Sequence, residues 1–190
     1  MKILVIGDPH GVLKVNKSHL EKADLVLVTG DIGKADLMRK MFFEDIERRR
    51  KGLLEKEHSS LKKKRAFMEA YNSSMKIMRH LSKRVPTFTI YGNVETSNSD
   101  TKKYSKEIGA DLPLLTKDLN SLDNVRVINN RIANFKGIRI GGLEYFVDTS
   151  WVKDFKPEDY QERMSESRKQ TEKAKRILKG FRDLDILICH

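Results

Sequence analysis

Asp8 and His10 stand two residues apart, just past the apolar run Ile3-Leu4-Val5-Ile6 and Gly7. That spacing lets a carboxylate and an imidazole from one short loop address a single ion. Three further residues of the same chemistry close apolar runs elsewhere in the chain. Asp31 follows Leu25-Val26-Leu27-Val28 and Thr29-Gly30, Asn93 follows Thr87-Phe88-Thr89-Ile90-Tyr91 and Gly92, and His190 follows Leu184-Asp185-Ile186-Leu187-Ile188 and Cys189. The two oxygens of Asp31 can bridge a pair of ions, Asn93 offers a carbonyl oxygen, and His190 offers an imidazole nitrogen. A mixed carboxylate, imidazole and carboxamide set suits Mn, Fe, Zn or Co ions, not a copper(I) thiolate site. Gly7, Gly11, Gly30 and Gly92 permit the tight turns and close backbone approach such a site needs.

The elements that must position these residues are strands. Short, unbroken runs of leucine and β-branched residues suit strands buried on both faces by helices. In open α/β sheets ligands gather at the carboxyl ends of the strands, where every candidate falls. The reading is an α/β fold with strands over 3–6, 25–28, 87–91 and 184–188. Two shorter strands, Arg126-Val127-Ile128 and Ile138-Arg139-Ile140, are joined through the turn-prone Asn129-Asn130. From about 36 to 84 the pattern becomes helical. Phe67, Tyr71, Met75, Met78 and Leu81 recur every three or four residues, with a weaker stripe at Met38, Met41, Phe42, Asp45 and Ile46 and a break near Gly52 or His58-Ser59-Ser60. A further helix is expected over 157–180, with Glu158 and Asp159 in its first turn and Gly180 past its end. No repeat or low-complexity linker interrupts the chain, so the expectation is one domain, 1–190, with a charged helical insertion at about 36–84.

Taken together, Gly7-Asp8-Pro9-His10, Gly30-Asp31, Gly92-Asn93-Val94-Glu95 and a strand ending in His190 resemble the successive motifs of the calcineurin-like metallophosphoesterases. The resemblance runs from Asp8 to His190. It implies a four-layer αββα sandwich, two mixed sheets flanked by helices. It also implies a dinuclear centre of divalent ions, Mn first, with Fe, Zn, Co or Ni as alternatives. Asp8 and His10 would ligate the first ion, Asp31 both, and Asn93 and His190 the second, while Glu95 would orient a ligand from behind. Two ions about 3.5–4 Å apart can hold a phosphate ester and supply a bridging hydroxide for in-line attack. The implied activity is hydrolysis of phosphate esters, phosphodiesters or nucleotide-type phosphates first, with Asp31 and Asn93 central to it.

Two departures qualify what the resemblance carries. Val94 stands where the family usually has a histidine, and valine cannot donate a proton to a leaving group. The family also continues into a Gly-His-x-His motif beyond the position of His190. The chain is therefore expected to be part of a longer protein, without the closing strands. The alternative is a catalytically impaired module that binds nucleic acid or a protein through a basic helical surface. A weaker variant is a nuclease whose insertion guides the strand to the ions.

Composition fits both readings. The 190 residues carry 38 Lys and Arg against 27 Asp and Glu, a formal charge of +11, which favours anionic partners through long-range attraction. Mean hydropathy is -0.57. The basic runs Arg48-Arg49-Arg50-Lys51 and Lys62-Lys63-Lys64-Arg65 can form a nucleic-acid surface, although interleaved Glu44, Glu47, Glu55 and Glu57 favour a solvated face. His19, His58 and His80 read as surface or core histidines. Tyr145, Phe146 and Trp151 read as core before substrate pocket. A single cysteine, Cys189, excludes an internal disulfide. No run approaches the roughly 20 apolar residues needed to span a bilayer. A cytoplasmic location without membrane partners is expected, and the oligomeric state is left open. Few glutamines beside abundant Lys and Glu point towards a thermophilic source.

Overall fold

The computed structural model describes residues 1–147 and 160–190. Their contacts divide into two units, Met1–Val127 and Ile128–His190.

In the first unit, four strands form one sheet in the order β1-β2-β3-β4: β1 (Ile3–Ile6), β2 (Leu25–Val28), β3 (Thr87–Thr89) and β4 (Val125–Val127). All three pairings are parallel, with Ile6 opposite Val28 and Val28 opposite Thr89. The expected pair of mixed sheets is thus corrected for this unit. Each strand is joined to the next through helices, and a crossover returns the chain to the same end of the sheet, which makes the pair parallel. Those helices are α1 (Lys17–Glu21), α2 (Asp36–Arg50), α3 (Ser60–Ser82), α4 (Asn98–Ile108) and α5 (Leu115–Asn120). The expected strand over 87–91 is shorter, while Ile90 and Tyr91 stay in the core.

The expected helical stretch divides where its local chemistry says it should. Gly52, at φ 68°, ends α2 in a Schellman arrangement: its N–H donates to the Arg49 carbonyl and the Leu53 N–H to that of Arg48. Only a residue free to turn left-handed closes a helix this way cheaply. The Ser59 hydroxyl then caps α3 by accepting from the Lys62 N–H at 3.4 Å. Along α3 the predicted stripe is the buried one: Phe67, Met75, Met78 and Leu81 are enclosed. The last three join Val26, Val28, Leu115 and Leu119 in the main core. On α2 only Ile46 is buried.

The second unit holds a mixed sheet, β5 (Arg131–Phe135), β6 (Ile138–Leu143) and β7 (Ile186–Cys189), with β5 antiparallel and β7 parallel to β6. Strand β5 was not expected, because Arg-Ile-Ala-Asn-Phe is poor in strand formers. The Asn129-Asn130 turn therefore leads into β5, and the hairpin turns instead at Lys136 and Gly137, at φ 48° and 85°. Two successive positive φ values are what a two-residue hairpin turn requires. Helix α6 (Tyr160–Gly180) supplies the crossover into β7. The start expected for this helix at 157 lies outside the described residues.

Candidate active site

The register of the first sheet places the loops after β1, β2 and β3 side by side at its carboxyl edge. Backbone hydrogen bonds then lash them together. The N–H groups of His10 and Gly11 donate to the carbonyls of Asp31 and Ile32 at 2.9 and 2.8 Å. A Cβ on Gly11 would lie 2.5 Å from that of Lys34, so the two loops approach too closely for any other residue there. Asp31, 3% exposed, accepts from the Val94 N–H at 2.9 Å through Oδ1. Its Oδ2 lies 3.8 Å from His10 Nε2.

Glu95 is the second tie. One carboxylate oxygen accepts from the N–H groups of Ile32 and Gly33 at 2.8 and 3.2 Å, the other from that of Gly92 at 3.0 Å. It thus holds the backbone beside both Asp31 and Asn93. Burial pushes its carboxyl above the ordinary range. The Gly92 and Gly33 N–H groups pull it down, the Asp31 charge raises it, and the Ile32 N–H lowers it again.

The first unit therefore brings Asp8, His10, Asp31 and Asn93 onto adjoining loops. His190 directly follows β7 in the second unit, exposed, its ring edge-on to Tyr145 at 5.8 Å. Among the described residues no three His, Cys, Asp or Glu side chains gather closely enough to hold an ion.

The donor types nonetheless fit a divalent cation, and two structural observations favour one. Asp8, His10 and Asp31 all adopt left-handed backbone, at φ 38°, 44° and 44°. Such conformations cost about 1–3 kcal/mol each and cluster at functional sites. The Nδ1 of His10 is also buried without a hydrogen-bond partner among the described residues, an arrangement native structures seldom leave unexplained.

Val94 has a packing reason. Its side chain, 6% exposed, lies with Ala35, Ala70 and Met38 of the helical insertion. The position that carries a histidine in the resemblance has become part of the seat of α2 and α3. One residue after Met38 in α2, Arg39 reaches towards the loops, its guanidinium 3.5 Å from His10 Nε2. No motif marked Arg39 in the sequence.

A family profile, Calcineurin-like phosphoesterase, matches residues 1–190. The chain belongs to that family. Its members are phosphoester hydrolases that typically bind divalent metals. A solved crystal structure superposes on 97% of this chain with a TM-score of 0.56 at 14% sequence identity, a likeness of fold. This chain spans 66% of that chain's length. No curated protein sequence matches it.

The remaining candidates sort as follows. Of the expected basic surface, Lys62 pairs with Glu44 at 3.7 Å, Lys63 with Glu107 at 3.3 Å and Arg49 with Glu55 at 3.3 Å. His58 is buried, with Lys62 Nζ 3.0 Å from its Nδ1 and Asp45 at 3.6 Å. His80 instead lines an open depression of about 410 Å³ with Asn72, Lys76, Arg79, Lys83 and Arg84. Burial, Arg84 and Lys83 all lower its affinity for a proton. In the second unit Tyr145 and Phe146, expected as core, line a depression of about 400 Å³ with Lys173 and Arg176 among its walls. Both residues lie just past the end of β6, outside any regular element, and are half-exposed. Trp151 lies outside the described residues. No helix among the described residues is long and apolar enough to cross a membrane.

Proposed function

We propose that this chain hydrolyses phosphate esters, phosphodiesters and nucleotide-type phosphates first, at a pair of divalent cations, manganese foremost. Asp8, His10, Asp31 and Asn93 would hold them, with His190 added by the motif order. The cations would supply Lewis acidity and a nucleophile at neutral pH. The chain's own part is to orient and to insulate. The Val94 N–H keeps Asp31 in one rotamer, and Glu95 keeps the flanking loops in register. Because Val94 has no proton to give, substrates whose leaving groups depart as stable anions are favoured. The supporting observation is the meeting of three strand-end loops, two of them carrying left-handed acidic or imidazole residues. Hydrolysis of a chromogenic phosphodiester with added Mn²⁺ tests it. Asp31→Ala and Asn93→Ala should each lower the rate at least ~100-fold, and rates equal to the unmodified protein would overturn the reading.

A second reading, nucleic-acid binding through the insertion, draws on one observation. Lys76, Arg79 and Lys83 line the 410 Å³ depression without a carboxylate partner among the described residues, whereas the earlier runs are partly paired. Mobility shift of a nucleic acid across a salt series should weaken when Lys76 and Arg79 are changed to Glu, and much less for Lys62 and Lys63. No shift at low salt removes it.

A further inference from the structure

Arg39 has no role in the proposed site and no structural employment elsewhere. It sits in the first turn of α2, exposed. The nearby carboxylates of Asp36 and Glu69 are occupied by Lys34, at 3.0 and 3.5 Å. Arg39 makes no ion pair with any described residue. Among the described residues the one hydrogen-bond partner of its guanidinium is His10 Nε2 at 3.5 Å, too long for a strong hydrogen bond. A guanidinium stays charged and presents donors in a planar fork that matches a phosphoryl group. Its neighbour in sequence, Met38, packs with Val94. The same helical turn thus seats the side chain that has left the site and delivers a cation into it.

We infer that Arg39 is the phosphate clamp of this site, donating two N–H groups to phosphoryl oxygens and offsetting the charge that builds there. The inference rests on the proposed metal-dependent site and deepens it. Arginine cannot be deprotonated in a protein, so Arg39 holds phosphate without protonating the leaving group. The role left empty by Val94 is therefore replaced in charge and not in acid catalysis. A phosphate-bearing substrate with a good leaving group is the class this arrangement suits.

The test uses the full 190-residue chain, with inorganic phosphate as the probe, followed by calorimetry with and without Mn²⁺ and by competitive inhibition. Arg39→Ala should weaken phosphate binding about 10-fold or more and lower kcat/KM about 10- to 100-fold. Its affinity for Mn²⁺ should be unchanged, and so should its relative rates on nitrophenyl and alkyl esters. Arg39→Lys should recover only part of the phosphate affinity, because an ammonium keeps the charge without the two-pronged fork, and free guanidinium should partly rescue Arg39→Ala. Phosphate affinity within about 2-fold of the unmodified protein in Arg39→Ala would overturn the clamp. So would a kinetic loss that excess Mn²⁺ fully repairs, because Arg39 would then act only through His10. If Asp31→Asn and Asn93→Ala also leave activity and Mn²⁺ binding intact, the site itself is wrong and the clamp falls with it. If those two variants fail while Arg39→Ala does not, only the clamp is lost.

Discussion

Six described residues other than glycine adopt positive φ, three in each unit, and turn geometry accounts for the second set but for only one member of the first. In the second unit Asn130, Lys136 and Asp183 lie in turns, between strands or before β7. There the conformation is what reversing the chain demands, and Lys136-Gly137 is a two-residue hairpin turn. In the first unit His10, with Gly11 at φ 82°, forms a similar two-residue turn closed by the Val12 N–H on the Pro9 carbonyl at 2.8 Å, whereas Asp8 and Asp31 lie in loops that lead from strands towards helices. Ordinary crossovers of that kind do not require a left-handed carboxylate residue just beyond each of two strands. Their backbone is held by neighbours: the His10 N–H on Asp31, the Gly11 N–H on Ile32, and the three N–H groups on Glu95. Left-handed backbone thus goes with chain reversal in the second unit and at His10, and with strand-end carboxylates at Asp8 and Asp31.

Substitution at the two kinds of position should separate these causes. Asp8→Gly relieves the left-handed backbone while removing a proposed ligand. Its Mn²⁺-dependent phosphodiesterase rate should fall at least ~100-fold. Its unfolding free energy should stay within about 1 kcal/mol of the parent, because relieved strain and added chain entropy oppose each other. A rate near that of the parent would place Asp8 among the turn residues instead. Next in size is the packing that holds the loops. A Cβ on Gly33 would meet the Ala70 carbonyl and Ser74 hydroxyl oxygens at 2.6 Å. Gly33→Ala should therefore cost about 1–3 kcal/mol in denaturant unfolding, together with a loss of activity as α3 is pushed away from the loop.

Lys136→Asn should do the reverse in the other unit. It creates the Asn-Gly pair that such hairpins prefer, so a gain of about 0.5–1 kcal/mol with unchanged activity is expected. A loss of stability would deny the turn its assigned geometry. The smallest effect is confined to alkaline pH. Burial, and then the hydrogen bond donated to Asp118 at 2.7 Å, push the Tyr71 hydroxyl up to about 12. The folded state therefore holds this proton more tightly than the unfolded chain does. The stabilisation is whole below pH 10 and is lost as pH rises from about 10 towards 12. Tyr71→Phe should flatten the fall of melting temperature over that window, and an unchanged slope would remove Tyr71 as its source.

Much of the site was legible because its signals are local. An apolar run ending in Gly-Asp or Gly-Asn reports both a strand and the candidate donor at its end, although β1 leaves Val5 59% exposed where burial on both faces was expected. Those runs did become β1, β2 and β3, with Asp8, Asp31 and Asn93 just beyond. The stripe on α3 was legible for the same reason, since one helix face is written in residues three and four apart. Strand β5 was not, because its residues become strand only through pairing with β6. For the basic runs, interleaved glutamates favoured a solvated face, but the particular pairings were not legible. Whether Lys62 and Lys63 are unpaired depends on Glu44 and Glu107, which approach only in the folded chain.

The order of residues along the chain thus settles which donors stand at which strand ends, since periodicity and turn chemistry act over a few residues. Tertiary structure alone decides where Val94 points, what Glu95 ties and how near Arg39 comes to His10. For Val94 and Arg39 the packing of the insertion against the strand-end loops brings distant neighbours together, and for Glu95 the side-by-side pairing of β2 and β3 does so.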